Sequence, residues 1–196
     1  MADAVITITE EDIAKVTTYV PLETKVSIAN IIAAFCVEKA DNGENSDGLY
    51  RENRKLRQMF LMGILAEMYL HKDYKLQTVK LSEDGEAQEV RLLMDLDEYD
   101  RWASSHVMNQ LERLKKDKTK KASNLMYDLL FDYKAFEGIV FGAIRDTLEA
   151  KNDILRRTTA ALSEAWTPET AKTAARAIKE IGSEIAEIGV KRNENG

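Results

Sequence analysis

The sequence predicts a mainly α fold: a multi-helix bundle with a long C-terminal helical hairpin and one small β-hairpin near 76–94. Three observations lead there. Two prolines and nine glycines in 196 residues are too few breakers for a many-turned β fold. Apolar residues recur at helical spacing along most of the chain. Near the C-terminus, Ala171, Ala174, Ile178, Ile181, Ile185 and Ile188 form a heptad seam, the spacing of one helix laid along another.

Taken in order, Val5–Thr9 alternates β-branched residues and reads as a short strand or an extended arm. Thr9 followed by Glu10, Glu11 and Asp12 is a helix start, because hydroxyl and carboxylates meet unpaired N–H groups at the positive end of the dipole. That helix is expected over about 10–18. Pro21 opens a second helix to about 39. A polar, glycine-bearing loop follows, then a helix over about 49–71 that is apolar on nearly every side beyond Met59. Such a helix belongs inside a bundle or under a partner. Alternation on either side of Asp84-Gly85 predicts the β-hairpin, although Leu93 breaks the pattern. Asp95 or Asp97 caps a helix to about 118, and Ser123 caps one that meets no strong stop before Trp166. Thr167-Pro168-Glu169 restarts a helix to about 190. The expected domains are a compact acidic helical part at 1–120, a helical hairpin at 122–190 and a frayed tail at 191–196.

Composition narrows the function classes. At 44% hydrophobic and 32% charged, the chain is too apolar for disorder and too charged for a membrane protein. It lacks the basic start and apolar stretch of a signal peptide, so the expected location is the cytoplasm or a particle assembled inside the cell. Cys36 is the lone cysteine and stands in an apolar run, where a small core residue is favoured over a reactive thiol. Residues 1–100 carry −9 and residues 101–196 carry +3. This asymmetry suits head-to-tail contact between copies or docking of the two halves, against a plainer reading of ordinary surface variation. The overall acidity argues against nucleic acid as the main partner.

The strongest candidate site is an interaction stripe on the last helix: Ala174, Ile178, Ile181, Ile185 and Ile188. Isoleucine at both seam positions favours three or four strands, and packing within the same chain is the competing reading. The loop at 41–52 offers Asp41, Asn45, Asp47 and Glu52 at the first, fifth, seventh and twelfth places of a calcium loop. Gly43 stands where a third-place ligand is needed and Ser46 where the turn glycine is, so a polar connection is favoured over calcium. Asp95, Asp97, Glu98 and Asp100 read as a solvated helix start, and the basic run at 113–121 as a helix end. Met59, Met62 and Met68 read as core filling, with an adaptable binding groove as the alternative.

No catalytic constellation and no cofactor are expected. The functional expectation is a non-enzymatic structural or adaptor protein working through helix–helix association with itself or another protein. An accessory component of a larger assembly, such as a phage particle, is one such setting. The alternatives are an acidic regulatory or inhibitory protein that binds one partner, and an enzyme whose site gathers Asp95, Asp97, His71 and His106 from distant positions. Neither a membrane nor a small-molecule substrate is indicated.

Overall fold

The computed structural model describes residues 5–40, 49–80, 87–116 and 120–165. The chain divides into two compact units, Met1–Ala150 and Lys151–Gly196. The architecture is mainly helical, with two small two-stranded antiparallel sheets. None of the described helices is long and apolar enough to cross a membrane.

Residues 5–9 form an extended arm that pairs with no strand among the described residues. The Ile6 N–H donates to the Ser105 hydroxyl at 2.9 Å, the Ile8 N–H donates to Gln110 Oε1 at 2.9 Å, and Gln110 Nε2 donates to the Ile6 carbonyl at 2.8 Å. Side chains thus satisfy the backbone groups that a neighbouring strand would otherwise take up. Helix α1 (Glu10–Lys15) begins with a capping box in which Thr9 and Asp12 satisfy each other's backbone N–H groups. Helix α2 spans Leu22–Cys36, with Pro21 at its N-cap.

The expected continuation of α2 to about residue 39 is not formed. Val37–Lys39 is strand β1, paired antiparallel with β2 (Tyr50–Glu52). The helix expected from residue 49 therefore starts later, as α3 (Arg54–Ile64), capped by the Asn53 side chain accepting from the Leu56 N–H at 3.0 Å. Arg51 and Glu52 extend away from a helical path because their backbone is spent on the β1 ladder.

A π-helical turn (Leu65–Tyr69) continues α3, closed by the Leu70 N–H on the Leu65 carbonyl at 3.0 Å. One extra residue per turn lets Leu65, Ala66, Tyr69 and Leu70 all point inward. This accounts for the apolar residues on nearly every side, because α3 packs against α2, β4 and α4. His71 then takes a left-handed conformation, φ 50°, beyond the helix end.

The β-hairpin is present as β3 (Leu76–Lys80) and β4 (Ala87–Met94). Thr78 faces Glu89, so an unbroken register would set Leu76 against Arg91, yet Leu76 faces Met94. The surplus forms a bulge in which Leu92 adopts φ 66° and Leu92, Leu93 and Met94 are all buried. Leu93 breaks the sequence alternation for this reason.

A single helix expected over 95–118 is instead two, α4 (Leu96–Ser104) and α5 (Val107–Lys115). His106 breaks them apart at φ 51°, ψ 41°, a region that histidine tolerates better than most side chains. Helix α6 (Lys120–Ala165) follows. Ser123 does not cap it; its hydroxyl donates to the Lys115 carbonyl at 2.7 Å. Met126, Leu129, Leu130, Tyr133, Phe136, Val140 and Ile144 lie buried along one side of α6, which is why the first unit runs on to Ala150. Ile144 belongs to this core. In the second unit, Thr158 and Thr159 donate to the Ile154 and Leu155 carbonyls, both at 2.9 Å. The expected turn at Thr167-Pro168, the last helix and the tail lie outside the described residues.

Gly63 marks a close approach between α3 and β4. A Cβ there would stand 2.0 Å from the Leu92 carbonyl oxygen, so the bulge of β4 can rest on α3 only where there is no side chain. Gly63→Ala, normally worth about 1 kcal/mol in a helix, should here cost about 3 kcal/mol or more through overpacking against backbone. Denaturant unfolding measures this, and a neutral or stabilised variant would refute the close approach.

Candidate functional site

The sequence candidates fall at separate places. Asp41, Asn45 and Asp47 lie outside the described residues, and so do Ala174, Ile178, Ile181, Ile185 and Ile188. Glu52 is described: it stands on β2 and its carboxylate pairs with the Arg57 guanidinium. Strands rather than the expected helices flank that loop. Among the described residues, no three His, Cys, Asp or Glu side chains cluster as a metal site would need.

The four residues weighed as a dispersed catalytic site each have a local role. Asp95 caps α4, accepting from the Asp97 N–H at 3.1 Å. His71 Nε2 lies 2.8 Å from the Thr17 hydroxyl, and His106 sits at the left-handed break between α4 and α5. His71 lines a depression with Lys72, Arg101 and Trp102, whereas Asp97 lines another with Asp100 and Ser104.

A buried polar cluster is not among the sequence candidates. Asp132 of α6 accepts from Lys25 Nζ at 2.5 Å, the Val20 N–H at 2.9 Å and the Tyr69 hydroxyl at 2.8 Å. Lys25 and Asp132 are only 4% and 7% exposed, so each depends on the other. Burial alone pushes the Asp132 carboxyl up, but the Lys25 ammonium, the Val20 N–H and the Tyr69 hydroxyl together hold it below the usual range. Burial, then the bond to Asp132, pushes the Tyr69 phenol well up. Both Asp132 oxygens are occupied within the fold, so the cluster is a structural tie joining α6 to α2 and the π turn. The one legible hint was Asp132 standing between Leu129, Leu130 and Tyr133 on an apolar helix side.

Cys36 is fully buried, and burial, reinforced by Glu52, pushes its thiol up to about 12. It is a core residue, as its apolar run indicated.

The remaining candidates are surfaces. Helix α2 keeps Leu22, Val26 and Ile31 exposed. An apolar groove of about 390 Å³ runs between α2, the π turn and β4, lined by Ile28, Ile31, Met68, Val90 and Leu92 among others. Met59 is buried as core filling, whereas Met68 reaches this groove. On α6, Tyr127 and Phe131 stack at 6.4 Å between ring centroids and both face outward. Where α1, α5 and α6 meet, Ile13, Ala14, Leu114, Ala122 and Leu125 line a second depression of about 390 Å³, with Glu10 and Lys121 at its edge.

Asp132→Ala strands a buried ammonium and should cost about 3–5 kcal/mol, more than the double change Lys25→Met with Asp132→Leu. The pH dependence has a fixed sign. A lowered carboxyl contributes its full stability above the ordinary value of about 3.9 and loses it as pH falls through the folded-state value. Unfolding midpoints from pH 7 down to pH 2 check this: the Asp132 variants should lack that share of the acid loss, and identical acid profiles would sink the assignment. No family model, curated protein or solved structure matches this chain.

Proposed function

We propose that this chain is a non-enzymatic structural or adaptor protein that works through helix surfaces, as an accessory component of a larger assembly. The observation that carries the reading is α2. Leu22, Val26 and Ile31 of this helix stay exposed, and Ile31 lines the apolar groove. An apolar surface that the fold leaves uncovered marks a place where another chain docks. Grooves of this kind take an amphipathic helix through its i, i+3 and i+4 anchors. The heptad stripe Ala174, Ile178, Ile181, Ile185 and Ile188 supplies such an anchor pattern in the same chain.

Self-association follows from this reading. Light scattering on the full chain should give a mass above that of one copy. The chain ending at Trp166, and the full-length variant Ile181→Asp, should give smaller particles. A full chain that stays monomeric at working concentration would remove the proposal.

A further inference from the structure

We infer that two copies of this chain pair antiparallel along the outer face of α6, the Phe131 and Tyr127 rings of each copy seating over Gly138 and Gly142 of the other. This rests on the self-association reading above and names a contact that performs it.

Helix α6 runs unbroken from Lys120 to Ala165. One side of it is buried in the core, and the opposite side carries two large apolar rings. Tyr127 is 54% exposed and Phe131 69%, and the two rings stack with 10° between their planes. Lys115 Nζ stands 5.1 Å from the Tyr127 centroid and still leaves that ring more than half exposed. Two aromatics one turn apart are a large apolar area to leave in water. The same side continues as Ala135, Gly138 and Gly142, at helical intervals of 4, 3 and 4 from Phe131. Glycine inside a helix is unfavourable and often marks a close approach, as Gly63 does. Yet a Cβ at Gly138 or Gly142 would meet nothing within 4 Å. Among the described residues, nothing makes use of these two missing side chains.

The spacing names the occupant. Tyr127 with Gly142, Phe131 with Gly138, and Lys134 with Ala135 all share one midpoint. A second α6 laid antiparallel about that midpoint sets each ring against a glycine, and the two-fold repeats every contact. Large residues facing small ones let two helices interdigitate. Ala135 falls at the axis, where the backbones can come close. Lys134 falls there too, and Glu112 of α5 holds its ammonium at 3.4 Å, so the lysines of two copies do not meet unpaired.

The test uses full-length variants. Gly138→Gln fills the gap with a good helix former, and Phe131→Asp removes a ring; both positions are exposed, so circular dichroism should match wild type. Light scattering should give wild type at least two copies, and each variant should associate at least about tenfold more weakly. Ala135→Cys should link two copies on mild oxidation. Glu149→Cys should not, because the antiparallel pair holds its two copies about 40 Å apart. Cys36 is buried and does not compete. Gly138→Gln and Phe131→Asp that associate like wild type, or equal linking at 135 and 149, would overturn the inference. If dilute Gly138→Gln melts below dilute wild type at unchanged mass, the chain's own residues cover this face and the pairing falls. If Ile181→Asp dissociates the protein while Gly138→Gln does not, self-association stands and this contact falls. A wild type that stays monomeric removes both.

Discussion

The first unit depends on a single carboxylate. Asp132 lies on the buried side of α6, and its two oxygens collect the Lys25 ammonium, the Tyr69 hydroxyl and the Val20 N–H. Each donor belongs to a different piece of chain: α2, the π turn, and the segment leading into α2. The contact therefore fixes how three pieces meet one long helix, and apolar packing alone would not specify that so narrowly. The arrangement is costly to assemble, since two charges leave water, and more costly still to break. Tyr69 reaches Asp132 because the π turn brings both Tyr69 and Leu70 inward. An irregular helix end and a buried charge pair are thus parts of one device.

The second constraint is steric. Gly63 lets the β4 bulge lie directly on α3, and the bulge in turn holds Leu92 at a positive φ. A leucine in that region is strained by about 1–2 kcal/mol. The compensation is the burial of Leu92, Leu93 and Met94 together, which a regular strand, alternating inward and outward, could not achieve. The groove beside α2 is a by-product of the same geometry, for Val90 and Leu92 form one of its walls. Packing needs inside the unit and the apolar surface outside it are therefore coupled.

The candidate surfaces share a physical logic. Each places an apolar patch beside charges or on a helix that the fold covers only partly: α2 with its groove, the Tyr127–Phe131 pair, and the depression edged by Lys121. Binding through such patches needs no reactive group; it needs burial of area and charges that select the partner.

Local chemistry was enough for much of the helical content. Thr9 with its three acids, Asp95 before α4, the paucity of breakers and the apolar run around Cys36 all act over a few residues, so the sequence by itself determined them. The hairpin at 76–94 was legible as well, because alternation and Asp84-Gly85 are local signals. Tertiary structure decided the rest. Val37–Lys39 and Tyr50–Glu52 left the helices on either side because they found each other as strands. His106 split one expected helix because the corner it makes presents Ser105 and Gln110 to the N-terminal arm. Gly63 carries no local mark of its role, and Asp132 only that of an acid on an apolar helix side, since the groups they serve lie far along the chain: Lys25 is 107 residues from Asp132, and Leu92 reaches Gly63 only after a hairpin has folded back. A sequence encodes propensity residue by residue, whereas burial of a charge or removal of a side chain acquires meaning only when distant segments meet.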